Sequence, residues 1–419
     1  MDHFIAKNGV IHAEDVALST IADAIGTPFY CYSTATLKRH VDVLREALSP
    51  LNARICFAVK ANSNIAVLRT LCHAGTGADV VSEGEIRAAL AAGIAPQHII
   101  FSGVGKTRSE MRFALQQNIF QFNVESDREL LVLNDEAKSL GSKAAIAIRV
   151  NPDVDAATHA KISTGKKENK FGVDIDLAPA LYALAATLSH IKIQGVSMHI
   201  GSQLTQLAPF EAAYIRARKL VEDLRAAGHA ITTLDIGGGL GVPYHEDDSA
   251  PPLPASYGAL IKRIFSGLDV ELILEPGRLI VGNAGILVSR IIYNKRTPTR
   301  TYMIIDAAMN DLMRPALYDA YHDISPVVDT GNAPELVDIV GPVCETGDTF
   351  ALQRSISLPE EGALVMFRTA GAYGASMSNS YNNRPLIPEV LVKGSEFAII
   401  RPRQTYADML ARNQFAPWQ

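Results

Sequence analysis

Between residues 54 and 281 short apolar β-type runs alternate with helical segments, and this alternation constrains the fold more than any other feature of the chain. The runs cover 55–59, 78–81, 99–102, 120–124, 145–150, 195–200, 234–236 and 272–275. Segments rich in Ala, Leu, Glu and Arg lie between them, as at 83–92, 128–140 and 210–227. A strand followed by a helix and another strand pairs in parallel, because the helix carries the chain back along the sheet. Eight such units, about 30 residues apart, suit a (β/α)8 barrel better than an open doubly wound sheet.

After Gly282 the pattern changes. β-type runs at 285–293, 301–306, 335–340 and 362–370 are separated by Gly, Pro and Asn turns, and long helical patterns become scarce. That predicts a separate antiparallel β-sandwich or β-barrel domain. The expected organisation is an N-terminal segment over 1–34 that joins the β domain through a β-like stretch at 5–10, a barrel over 35–281, and the β domain over 282–419. A length of 419 residues also predicts two domains. A polar stretch at 153–170 reads as a loop over the site, and the Asp- and Pro-rich stretch at 245–254 as a surface excursion.

Composition narrows the partners. With 48% hydrophobic and 20% charged residues the chain reads as globular, with a large core. A formal net charge of −5 argues against nucleic acid. No run approaches the roughly 18 apolar residues of a membrane helix, and the first residues lack the marks of a secretory or transit peptide. Cys31, Cys56, Cys72 and Cys344 are scattered without metal-ligand spacing. They read as free thiols of a cytoplasmic protein, with no metal site.

A barrel keeps its active site at the C-terminal ends of its strands and commonly holds phosphate after strands seven and eight. Polar residues stand at those ends. Lys60 closes the first run; it reads either as a lysine that snorkels to solvent or as a desolvated amine that forms Schiff bases with carbonyls. Gly237-Gly238-Gly239 follows the seventh run, and three glycines let backbone N–H groups approach an anion or simply make a turn. Arg278, after Glu275-Pro276-Gly277, suits phosphate or carboxylate. Glu275 reads as the partner of a pyridine nitrogen, as one half of a buried ion pair with Arg149, or both. His199 reads as a structural residue or as a group against a cofactor ring, and Ser202 as a phosphate ligand or a helix cap.

The motifs resemble those of the diaminopimelate decarboxylase family, within the fold-type III group of pyridoxal 5'-phosphate (PLP) enzymes. They are Phe57-Ala58-Val59-Lys60-Ala61-Asn62, Lys161-Ile162-Ser163-Thr164-Gly165, Lys170-Phe171-Gly172, His199-Ile200-Gly201-Ser202-Gln203, Asp235-Ile236-Gly237-Gly238-Gly239, Glu275-Pro276-Gly277-Arg278, Gly341-Pro342-Val343-Cys344-Glu345-Thr346-Gly347-Asp348 and Gly371-Ala372-Tyr373-Gly374. Each is weak alone; the ordered set, spanning nearly the whole chain, is specific. The resemblance implies a PLP-binding barrel, a C-terminal β domain and a homodimer with composite active sites. It implies that Lys60 holds PLP covalently, that Gly238, Gly239 and the turn of Glu275, Pro276, Gly277 and Arg278 hold phosphate and ring, and that Asp79 orients Lys60 or the cofactor. Arg278, Arg314 and Tyr318 would grip the substrate's far carboxylate. Glu345 would receive the far ammonium, Cys344 would return a proton, and Tyr373 would touch both cofactor and substrate.

The implied reaction is decarboxylation of meso-2,6-diaminopimelate to L-lysine, the last step of lysine biosynthesis. A basic amino-acid decarboxylase acting on ornithine or arginine would meet a cationic terminus with acid and would not need Arg314. A racemase of the same group would keep the ring nitrogen unprotonated through an arginine, where Glu275 stands here. A non-catalytic PLP-binding protein would keep Lys60 but would not need Cys344, Glu345 or Arg314.

Overall fold

The computed structural model describes residues 2–155, 170–245 and 250–419. Most of the expected loop at 153–170, with the whole Lys161-Ile162-Ser163-Thr164-Gly165 motif, lies outside them, as do residues 246–249 of the expected excursion. The chain divides into two compact units. One comprises Lys38–Pro243 and Ser249–Ile280; the other comprises Met1–Leu37, Tyr244–Asp248 and Val281–Gln419.

The first unit is a closed barrel. Among the described residues its strands are Ala53–Ala58, Gly77–Val80, Ile99–Phe101, Gln121–Val124, Ala144–Asn151, Ile191–Met198, Thr233–Asp235 and Glu271–Leu274. Each pairs in parallel with the next, and the eighth returns to the first. The strands match the apolar runs to within a residue or two, except that the sixth begins earlier, at Ile191. Side-chain caps start three successive helices. Ser82 caps Glu83–Ala91, Thr107 and Glu110 form a capping box on Arg108–Gln117, and Ser126 caps Asp127–Ser139. Each cap satisfies a backbone N–H that the first turn leaves open. Buried Cys56, Ile100 and Ile273, from the first, third and eighth strands, form one apolar cluster. Those strands are not all neighbours, so the cluster lies inside the barrel.

A bulge interrupts the sixth strand between Ile193 and Gly195. A Cβ on Gly195 would stand 2.0 Å from the Thr233 hydroxyl oxygen, so the missing side chain makes room for Thr233 on the seventh strand.

The second unit is built on a mixed sheet. Its order runs Thr349–Ile356, Glu335–Val340, Thr301–Ile305, Gly285–Arg296, Phe29–Ser33, Glu389–Lys393 and Glu396–Arg401. The expected sheet domain is present, and two of its pairings are parallel: Thr301–Ile305 with Glu335–Val340, and Phe29–Ser33 with Glu389–Lys393. Neither pair is joined by a hairpin, so no tight turn imposes antiparallel direction. The N-terminal segment enters this sheet through Phe29–Ser33 and not through 5–10. Phe4–Lys7, Val10–Ala13 and Val16–Ala17 form a small sheet of their own, linked by a single bridge from Val10 to Val328. Burial explains the choice: all five residues of Phe29–Ser33 are buried, and Phe29 and Cys31 join the core with Ile286, Val288, Met366 and Val390, whereas residues 5–10 are exposed or half-buried.

Candidate active site

Ten of the sequence-predicted residues belong to the barrel unit: Lys60, Asp79, His199, Ser202, Gly238, Gly239, Glu275, Pro276, Gly277 and Arg278. All lie at or just beyond the C-terminal ends of its strands. The first strand stops at Ala58, and a short 3-10 turn over Val59–Ala61 carries Lys60. Its side chain is 40% exposed. Its Nζ donates to Asp79 Oδ2 at 3.3 Å, and the Asp79 side chain is fully buried at the end of the second strand. The other oxygen, Asp79 Oδ1, is buried with no hydrogen-bond partner among the described residues. A buried carboxylate oxygen without a donor is costly.

Loops six, seven and eight interlock through glycine. A Cβ on Gly237 would lie 2.5 Å from Met198 O, one on Gly238 2.2 Å from Glu275 O, and one on Gly239 2.4 Å from Gly201 O. Gly237 and Gly239 also have φ of 66° and 113°, which disfavour a side chain. His199 Nδ1 accepts the Gly238 N–H at 3.2 Å, which leaves the ring proton on Nε2. Burial, then the positive charges of Arg149 and Lys60, hold this imidazole well below the ordinary histidine range. Arg278 is buried and donates from Nη2 to Ser202 Oγ at 3.2 Å. Ser202 does not cap the following helix, Ala208–Ala226, whose N-cap is Leu207.

Glu275 and Arg149 are not an ion pair. Arg149 Nη1 bonds Glu125 Oε1 at 3.0 Å, and its guanidinium lies over the Phe171 ring. The Gly172 N–H donates to the other Glu125 oxygen at 3.0 Å, so the Lys170-Phe171-Gly172 motif docks on this pair. Glu275 Oε1 instead faces Ser102 Oγ and Asn123 Nδ2, each at 3.3 Å. Burial, then the negative charge of Asp235, pushes the Glu275 carboxyl well above the usual carboxylate range.

Several of these groups escaped the sequence reading. Ser102, Asn123, Glu125 and Asp235 carry no motif role there. The alternation Gln121-Phe122-Asn123-Val124-Glu125 was the available signal, since it sets three polar side chains on one face of a buried strand. Glu85 also escaped; it accepts the Val81 N–H, and burial pushes its carboxyl up to about 7.

Arg314, Tyr318, Cys344, Glu345 and Tyr373 belong to the other unit. Arg314 and Tyr318 are the first and last residues of a short helix. Arg314 is 7% exposed, donates to His322 Nε2 at 2.9 Å and lies over the Tyr244 ring. Buried Asp348 shapes the Gly341–Asp348 loop, because its carboxylate accepts the N–H groups of Met309 and Val343 at 2.6 and 2.7 Å. The loop presents Cys344 and Glu345 to solvent, and Glu345 Oε2 accepts the Tyr381 hydroxyl at 2.9 Å. Tyr373 is half-buried with φ of 57°, in the left-handed region that a tyrosine rarely occupies.

Residues 34–282 match the family model described as "Pyridoxal-dependent decarboxylase, pyridoxal binding domain". The chain is 50% identical over 418 residues to the diaminopimelate decarboxylase of Zymomonas mobilis subsp. mobilis, covering 99% of each. It belongs to the diaminopimelate decarboxylase family. Among solved structures, the Helicobacter pylori diaminopimelate decarboxylase complexed with L-lysine matches at a TM-score of 0.91 and 40% identity, over 94% of this chain and 98% of that one. The M. jannaschii diaminopimelate decarboxylase in co-complex with L-lysine matches at 0.94 and 36% identity, over all of both chains. As a member of this family the chain is a lyase whose cofactor is pyridoxal 5'-phosphate. The barrel fits that group: Asp79 keeps a buried oxygen open, three loops bring glycine backbone together beside Arg278 and Ser202, and a buried carboxyl stands at Glu275. No helix among the described residues is long and apolar enough to cross a membrane.

Proposed function

We propose that this chain decarboxylates meso-2,6-diaminopimelate to L-lysine, in the cytoplasm, as the last step of lysine biosynthesis. The observation that carries the reading is end-to-end likeness to enzymes of that name, two of which have been solved with L-lysine. Four free cysteines support the compartment.

In this reading Lys60 would hold the cofactor covalently, and Asp79, 3.3 Å from its Nζ, would orient the lysine or the cofactor. Bound PLP supplies an electron sink for the pair left on carbon as carbon dioxide departs. Glu275 would partner the ring nitrogen, and His199, neutral and held by Gly238, would line the ring's site. Ser202, Gly238, Gly239, Pro276, Gly277 and Arg278 hold the phosphate. At the far end Arg278, Arg314 and Tyr318 bind a carboxylate, and Glu345 binds an ammonium. Cys344 gives the carbon its proton; an ordinary thiol is mostly protonated at neutral pH. Tyr373 touches both ligands. The exposure of Cys344 and Glu345 supports a homodimer in which each chain lends these two residues to its partner's site.

Carbon dioxide release from single amino acids tests the substrate. Diaminopimelate should be turned over, and ornithine and arginine should not; turnover of ornithine at a similar rate would remove the reading.

Arg314→Ala tests the carboxylate clamp. A hydrogen bond to a charged group contributes roughly 1.5–3 kcal/mol, so kcat/KM for diaminopimelate should fall about tenfold to a hundredfold. Inhibition by L-lysine, which lacks the far carboxylate, should change much less. Equal losses for both ligands would contradict the clamp.

A further inference from the structure

A one-way chain of hydrogen bonds crosses the interior of the barrel and ends on two carboxyls. Thr233 Oγ1, on the seventh strand, donates to Gln121 Oε1 on the fourth at 2.9 Å. Gln121 Nε2 donates to Asn123 Oδ1 at 2.8 Å. Asn123 Nδ2 then faces Asp235 Oδ2 at 2.8 Å, Ser102 Oγ at 3.1 Å and Glu275 Oε1 at 3.3 Å. Every one of these side chains is buried.

The direction is forced from the carboxyl end. An ionised carboxylate only accepts, so Asn123 must turn its NH2 toward the pair. Its oxygen then needs a donor, which is the Gln121 NH2, and the Gln121 oxygen needs one in turn, which is the Thr233 hydroxyl. The bulge glycine Gly195 leaves the space that this hydroxyl occupies. Amide groups do not exchange protons readily near neutral pH, so the chain orients and does not conduct.

We propose that Asn123, oriented by Gln121 and Thr233, is a positioning residue that holds Asp235 and Glu275 as a pair sharing one proton and one negative charge. This rests on the reading of Glu275 as the carboxyl facing the cofactor ring nitrogen. One NH2 group reaches an oxygen of each carboxyl, which holds the two together in the barrel interior, where two bare negative charges would repel with little solvent to screen them. The Gly237 N–H donates to Asp235 Oδ1 at 2.9 Å, and the Ser197 hydroxyl lies 3.4 Å from Oδ2, so the remaining negative charge has its donors on Asp235. Around the pair stand Asp79, whose like charge disfavours a second ionisation, and Lys60, whose charge favours it. Buried Cys56 and Tyr214 are raised well above their usual ranges and stay protonated. Burial raises both carboxyls. A pair that keeps one proton offers the ring nitrogen a single charge without the repulsion of two buried carboxylates.

The test is an infrared pH titration of the cofactor-free protein, which reads the carboxyls directly. Wild type should keep a protonated-carboxyl band near neutral pH, distinct from that of Glu85, which Glu85→Gln removes, and this band should disappear in both Asp235→Asn and Glu275→Gln. Asn123→Leu should raise the midpoint of that band by about one unit, tenfold in proton affinity, because a donor to the charged form is lost. Gln121→Met, which keeps shape but frees the Asn123 amide to turn, should raise it by less. If Asn123→Leu does not fold, Gln121→Met decides. Absence of the band in wild type, or a midpoint that neither folded variant moves, overturns the proposal. A protein that turns over diaminopimelate but lacks the band keeps its function and loses this mechanism; one with the band but without that turnover keeps the pair and loses the substrate.

Discussion

Lys60→Ala is expected to yield protein that loses its visible cofactor absorption on dialysis and about 10^4-fold or more of its decarboxylase activity, the scale of losing a group that takes part in bond making. The expectation rests on position. Lys60 stands on the turn that ends the first barrel strand, with Nζ 3.3 Å from a fully buried carboxylate. Removing the amine leaves Asp79 buried with neither oxygen bonded to Lys60, so cofactor affinity should fall as well. Borohydride reduction followed by peptide mass spectrometry should place the cofactor on Lys60 in wild type and on no peptide in the variant. A visible band that survives dialysis of Lys60→Ala would place the cofactor on another lysine.

Mixing two inactive variants should restore activity. Lys60→Ala removes a residue of the barrel unit, and Glu345→Ala removes one on an exposed loop of the other unit. Each homodimer should be nearly inactive. If sites are composite, a heterodimer carries both defects in one site and neither in the other. Random exchange makes roughly half of all dimers heterodimers, so about a quarter of wild-type activity should return, given equal affinity among chains and a symmetric interface. No recovery despite demonstrated subunit exchange would mean that each site is built within one chain. The experiment requires only that chains exchange, which native mass spectrometry of differently tagged chains follows.

The barrel was legible because its signal is local. Each strand is a short apolar run and each following helix has its own periodicity and cap, so eight units can be counted along the chain. Glycines of the Gly237-Gly238-Gly239 turn and the residues of Glu275-Pro276-Gly277-Arg278 were visible for the same reason: they are consecutive. The stretches 5–10 and 29–33 are both β-like in sequence; among the described residues 5–10 pairs beyond its own small sheet only at Val10, whereas 29–33 is buried along its whole length within the larger sheet.

Sequence alone therefore determined the order of the elements, the strand ends that carry polar groups, and the chemical types available there. Tertiary structure decided the partners. Asn123 meets Asp235 across 112 positions, and Ser102 meets Glu275 across 173, while Arg149 takes Glu125 and leaves Glu275 to its carboxyl neighbour. Closing a parallel sheet brings inward side chains of strands that are not neighbours into contact, and that closure is a property of the whole barrel, whereas periodicity belongs to each strand.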